Sequence, residues 1–190
     1  MMSLQTKTAY TPEEYLTIER EAEFKSEYFN GEIFAMAGAS RKHNLIAGNT
    51  FASLHRKLIN KGCEAYMGDM RVKVSPTGLY TYPDIVIVCD TPQFEDSVFD
   101  TLINPLVIIE ILSPGTESYD RGKKFENYRA LPSLIEYIMI SQNRNYIEHY
   151  IRQPDNTWLF SEIRDMADGI QIASAECELT LEEIYARVPE

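Results

Sequence analysis

Two apolar runs limit what this chain can fold into. Ile85-Val86-Ile87-Val88-Cys89 is continuous, and Leu106-Val107-Ile108-Ile109-Glu110-Ile111-Leu112 is broken only by Glu110. A strand with water on one face alternates polar and apolar residues, whereas an unbroken run of this length reads as a strand covered on both faces. The chain must therefore build a sheet with other elements packed on each side. Helical patterns lie before and between the strand runs, and no Pro/Gly linker divides them. The expected fold is α/β in the mixed α+β sense, a central mixed β-sheet flanked by helices. It is read as one domain over 1–190, a length that supports a single substantial core.

Local signals place the other elements. Thr11-Pro12-Glu13-Glu14 opens a helix, with Thr11 as cap and Glu14 completing a capping box. Asn30-Gly31 supplies the positive-φ pair of a tight turn, so Glu27 to Phe34 reads as a hairpin. Ser40 caps a helix reaching about Lys61, with Leu45, Phe51, Leu54 and Leu58 as its apolar stripe and Gly62 at its C-terminal end. Met70 to Val74 alternates apolar and basic residues and predicts a half-exposed strand. A basic amphipathic helix is expected from about Glu117 to Ala130, followed by a buried strand over Leu134 to Ile140. Tyr146–Ile151 and Thr157–Ile163 form a meander around Pro154-Asp155-Asn156, and Thr180-Leu181-Glu182-Glu183 opens a terminal helix.

Charge and cysteine usage narrow the function classes. The net charge of −11 opposes indiscriminate binding to nucleic acid, where phosphate attraction dominates. The charge is uneven, however: residues 41–73 carry seven Lys/Arg against two Asp/Glu, so this segment is +5 and the remainder −16. One face is therefore expected to meet an anion, with Arg121, Lys123, Lys124 and Arg129 as a second basic cluster. Cys63, Cys89 and Cys177 are odd in number and widely spaced, which predicts three reduced thiols. No apolar run approaches the roughly 20 residues of a membrane span, and Met1 to Tyr10 lacks the apolar stretch of a signal peptide. The expected compartment is the cytoplasm.

Glu110 is the anomaly. An unpaired carboxylate within a strand covered on both faces costs several kcal/mol in desolvation, so it must meet a cation, take a proton or face a cavity. Asp84 begins the other buried run, directly after Pro83. Adjacent strands would set the two carboxylates side by side, where mutual repulsion raises the cost and a bound Mg²⁺ removes it. The competing explanations are a buried salt bridge for Glu110 and a strand-start or turn role for Asp84. The following helix offers Lys123 or Lys124 as a cation that could point back toward the pair.

Tyr82-Pro83-Asp84, Glu110-Ile111-Leu112-Ser113, and Asp120-Arg121-Gly122 with Lys124 and Tyr128 together resemble a bacterial family labelled putative restriction endonucleases (Uma2-like). That family belongs to the PD-(D/E)XK nuclease superfamily. The likeness extends from the Glu27…Gly31 hairpin through Ser40 and His43 to Pro132-Ser133-Leu134 and Glu136-Tyr137. It implies a restriction-endonuclease-like core and a Mg²⁺-dependent DNA endonuclease, with Mn²⁺ able to substitute and a homodimer as the working form. It further implies Asp84 and Glu110 as metal ligands, the Ile111 carbonyl as a third, and Glu27 as a supporting acid. The superfamily lysine two residues after the glutamate is replaced here by Leu112, and the resemblance shifts that role to Lys124. Tyr128, one turn later, would orient Lys124, while His43 is expected to cap or pack. The alternative is a catalytically inactive nucleic-acid-binding or protein-interaction module on the same fold.

Overall fold

The computed structural model describes residues 9–189. The leading stretch read above as lacking a signal segment lies outside the described residues as far as position 8. The two apolar runs become β6 (Ile85–Cys89) and β8 (Val107–Leu112), neighbours in a six-stranded sheet. Its order is β11 (Trp158–Ile163), β10 (Ile147–Arg152), β9 (Glu136–Ser141), β8, β6 and β3 (Cys63–Met67). Only β8 and β9 pair in parallel; the other neighbours are antiparallel, so the sheet is mixed.

Both faces are covered, as the unbroken runs require. On one face Ile85, Ile87, Val107, Ile109 and Ile111 pack against α2 (Arg41–Leu58) and α5 (Leu181–Ile184). The two-stranded ribbon β12 (Gly169–Ile172) and β13 (Cys177–Thr180) covers the same face. On the other face Val86, Val88, Ile108 and Leu112 meet Phe125, Tyr128 and a second sheet. That second sheet has the order β2 (Glu32–Ala35), β1 (Ser26–Phe29), β5 (Leu79–Thr81), β4 (Arg71–Val74), β7 (Thr101–Leu102). Its outer face is closed by α1 (Pro12–Glu21) through Tyr15, Leu16, Tyr28 and Tyr80. Burial of these apolar faces, at about 25 cal/mol per Å², is the main stabilising contribution.

The expected turn and caps form. Thr11 and Thr180 each close a full capping box, and Asn30 and Gly31 take φ of 50° and 86° in the β1–β2 turn. Gly31 is required sterically as well, since a Cβ there would stand 2.9 Å from that of Ala9.

Four expectations are corrected. The buried line of α2 runs through Ile46, Thr50, Leu54 and Leu58, leaving Leu45 and Phe51 only half-buried. This i, i+4 ladder passes through a polar threonine, so an apolar count alone misaligns it by one residue. The strand at 71–74 is not half-exposed: Arg71 is 2% exposed and bonds Tyr82 and Thr101, with Asp100 at 3.0 Å. The helix after β8 is not regular. It consists of α3 (Glu117–Tyr119), a π-helical turn over Asp120–Lys124, and α4 (Phe125–Tyr128). The Asn127 side chain donates to the Lys123 carbonyl at 2.8 Å, satisfying an acceptor in the widened turn. Finally, Cys63 and Cys89 are directly opposite in the β3–β6 ladder and form a disulfide, leaving Cys177 as a buried free thiol. Antiparallel pairing joins positions 26 residues apart, which spacing in sequence conceals.

Arg71 gives a direct check on the buried assignment. Arg71→Leu is expected to lower stability by about 3 kcal/mol in urea unfolding, because Asp100, Tyr82 and Thr101 lose their donor. A solvated cation at this position would leave the unfolding midpoint unchanged.

Candidate active site

The site arises from strand register. Ile85 pairs with Ile109, so Asp84, one step before β6, stands opposite Glu110 on β8. Directly opposed positions of an antiparallel pair share a face. Both carboxylates therefore look toward the π turn and the second sheet. Asp84 accepts a hydrogen bond from the Ile111 amide at 2.7 Å, and the Asp84 amide lies 3.4 Å from Glu110 Oε2.

Lys124 closes the space above Glu110. Its Nζ is 2.9 Å from Glu110, 3.4 Å from Glu27 and 3.7 Å from Asp120. Tyr128 donates to Glu110 Oε1 at 2.8 Å, and Thr81 donates to Glu27. His43 Nε2 reaches Asp84 at 3.2 Å from the first turn of α2. Leu112, two residues after Glu110, shares that residue's face, but here it packs at 2% exposure among Val86, Val88 and Phe125.

Three carboxylates (Glu27, Glu110 and Asp120) thus gather around one ammonium group, with Asp84 beside Glu110. Burial pushes the Glu110 carboxyl up to about 8, with Asp120 and Asp84 adding to the rise and Lys124 opposing it. Asp120 is raised by burial in the same direction. Burial works against a charge on Lys124, yet Glu110, Glu27 and Asp120 outweigh it and hold the ammonium well above the usual lysine range. Burial, followed by Glu110, keeps the Tyr128 hydroxyl protonated as a donor. Burial is the largest influence on Glu110, Asp120 and Tyr128, and the surrounding carboxylates add to it for Glu110 and overcome it at Lys124.

The expected residues Glu27, Asp84, Glu110 and Lys124 are therefore brought together, with the Ile111 main chain beside Asp84. Glu110 makes the buried salt bridge of the competing explanation, to Lys124, and it also faces Asp84. Tyr128 holds Glu110 rather than Lys124, and His43 holds Asp84 rather than merely capping its helix. Asp120 was not singled out as a site residue; its spacing of four from Lys124 was the available signal. Among the described residues no three His, Cys, Asp or Glu side chains form a metal-ligand set by themselves. Two carboxylates with hard oxygens do suit Mg²⁺, which is commonly held by one or two carboxylates, waters and substrate phosphate.

The basic surface is smaller than the sequence suggests. Lys57 pairs with Glu183, Lys73 with Glu95, Arg71 with Asp100, and Arg121 with Glu117 and Glu148. Lys61 binds the Glu176 carbonyl. Arg41, Lys42 and Lys123 make no ion pair among the described residues.

Comparison with known proteins bears on family and fold. The Uma2 family, described as "Putative restriction endonuclease", matches residues 12–182. The chain belongs to this family. Two relatives are uncharacterized proteins of Synechocystis sp., sll1609 and slr1290. The first is 36% identical over 86% of this chain and 92% of its own length. The second is 33% identical over 92% and 90%. A crystal structure described as a putative nuclease of DUF820 from Anabaena variabilis superposes with a TM-score of 0.78. It covers 95% of this chain and 99% of that one at 18% identity, a likeness of fold. Uma2 membership supports a nuclease role.

Lys124→Met isolates the charge imbalance. Without metal it is expected to cost about 3–5 kcal/mol at pH 8, since Glu27, Glu110 and Asp120 lose their counter-charge. The loss should shrink toward pH 5. Carboxyls raised on folding contribute stability below their unfolded pKa and lose it as pH climbs through the folded value, about 8 for Glu110. A pH-independent loss in urea titrations would contradict this account.

Proposed function

We propose that the chain is a divalent-metal-dependent DNA endonuclease hydrolysing phosphodiester bonds, with Mg²⁺ as the ion and Mn²⁺ as a substitute. The observation that carries this reading is the surplus of buried carboxylate around Lys124. Families of the restriction-endonuclease type generally use divalent ions, which adds support. Asp84 and Glu110 would hold the ion, with the Ile111 carbonyl as a further oxygen. Bound there, it would neutralise the carboxylates and polarise a phosphate oxygen.

The remaining roles belong to side chains. Lys124 offers a compact ammonium to charge developing on phosphate oxygens, a contribution that counts for most where water is scarce. Glu27 and Asp120 fix its position and keep it charged. Tyr128 and His43 orient the two ligand carboxylates, as second partners of metal ligands commonly do. Leu112 favours an inactive module only if no other lysine reaches Glu110, and Lys124 stands 2.9 Å away.

Supercoiled plasmid with Mg²⁺ or Mn²⁺ provides the test. Wild type should cut; Asp84→Asn should not, and Lys124→Met should lose about 10²–10³ in rate. Lys123→Met should remain within a few-fold, since residue 123 is exposed while Lys124 is buried. Direct conversion to linear DNA would report two copies acting together, and nicking a single copy. Wild type without metal-dependent cleavage would overturn the reading in favour of an inactive module.

Mn²⁺ affinity supplies a second check. The ion must displace the proton that Glu110 retains up to about 8, so affinity should rise from pH 6 to pH 8.5 with release of about one proton. Glu110→Gln should abolish that dependence in calorimetry. A flat profile in wild type would argue against Glu110 as a ligand.

A further inference from the structure

Two exposed aromatic rings stand beside the carboxylate cluster, and the chemistry above uses neither. Phe34 lies directly across the β1–β2 ladder from Glu27, so the two side chains share a face. Glu27 turns inward to Thr81 and Lys124, and Phe34, 47% exposed on an edge strand, stands beside it. Tyr119, 38% exposed, immediately precedes the π turn that carries Asp120 and Lys124. Burial is the main influence on its hydroxyl, and the charges it senses are those of the site: Glu27 first, then Lys124, Asp120 and Glu110. Phe34 thus stands across the ladder from Glu27, and Tyr119 adjoins the turn that carries Asp120 and Lys124. Neither ring stacks on another aromatic among the described residues.

The charge near the site restricts what those rings can meet. A duplex presents one negative charge per roughly 1.7 Å and is ordinarily held by many cations. On an acidic chain whose other basic residues are largely paired, Arg41, Lys42 and Lys123 are the cations left near the site. Arg41 and Lys42 share the first turn of α2 with His43, and Lys123 adjoins Lys124. Three cations are a weak hold on a duplex. Aromatic faces add affinity without charge when bases are unpaired, because each base offers a π-face for stacking.

We propose that Phe34 and Tyr119 form a stacking platform for unpaired bases of single-stranded DNA, which leads the strand past Arg41, Lys42 and Lys123 into the carboxylate site. Delivery of a scissile phosphodiester rests on the nuclease reading; the stacking itself does not.

The test measures binding of fluorescein-labelled 12-mers by anisotropy, with Ca²⁺ in place of Mg²⁺. The probes are oligothymidylate, an abasic strand of equal length and a 12-base-pair duplex. Wild type should bind oligothymidylate about tenfold or more tightly than the abasic strand, the scale of a single base stack. The duplex should bind more weakly than oligothymidylate. Three phosphate contacts predict a log–log salt slope of about −2 on a single strand. Phe34→Ala and Tyr119→Ala should each remove most of the thymidine advantage, whereas Tyr119→Phe should keep it. Equal affinity for thymidine and abasic strands would overturn the proposal. So would tighter binding of duplex, or no binding of any probe. The thymidine–abasic comparison uses wild type alone, so a poorly folded variant does not spoil it. Stacking without metal-dependent cleavage of either plasmid or oligothymidylate would sink the nuclease reading and leave the platform standing. Duplex cleavage unaffected by either alanine variant would sink the platform and leave the nuclease.

Discussion

The ammonium group of Lys124 holds together a region that would otherwise repel itself. Glu110, Glu27 and Asp120 all lie within 3.7 Å of its Nζ, and Asp84 stands across the strand pair from Glu110. A buried ion pair is weak evidence for stability, because desolvation offsets much of the attraction. Here the imbalance makes that argument stronger. One cation does not balance four carboxylates, and sequences selected for stability alone place apolar side chains at such positions. The arrangement is readily understood if the missing positive charge arrives with a ligand. Each supporting contact serves the same end: Tyr128 and His43 hold the carboxylates, and the π turn presents Asp120 and Lys124 from one short segment.

Much of the fold was legible because strong local signals agreed with tertiary demand. The unbroken runs at 85–89 and 106–112 became two-sided strands, and the Thr11 and Thr180 capping boxes and the Asn30-Gly31 turn formed as expected. Other features depended on partners remote in sequence. Arg71 looks like a solvated strand cation until Asp100 and Tyr82 are brought beside it. The Cys63–Cys89 bond likewise follows from β3–β6 register, and the ladder of α2 through Thr50 follows from what that helix packs against.

The candidate site was legible in part for a different reason. A carboxylate in an apolar run is conspicuous because burial of a charge is costly, so Glu110 announces itself. Asp84 gains meaning only through its pairing with Glu110. Glu27 came from family resemblance, which also chose Lys124 over Lys123, since an acid on a hairpin and one lysine of a pair on a basic helix carry little signal alone. The role of His43 and the rings of Phe34 and Tyr119 needed three dimensions, because nothing local separates them from surface residues, and Asp120 offered only its spacing of four from Lys124. The positive segment at 41–73 misled for the converse reason. Formal charge is visible in sequence, but the internal carboxylates that consume it are not.

The central claim is that Asp84 and Glu110 together hold a divalent cation that offsets the carboxylate surplus. Its most direct test is a crystal grown with Mn²⁺ and measured at the manganese absorption edge. The account predicts an anomalous peak between the Asp84 and Glu110 carboxylates that disappears in Asp84→Asn. A peak confined to other surface carboxylates, or none at saturating Mn²⁺ while Lys124 stays bound to Glu110, would contradict it.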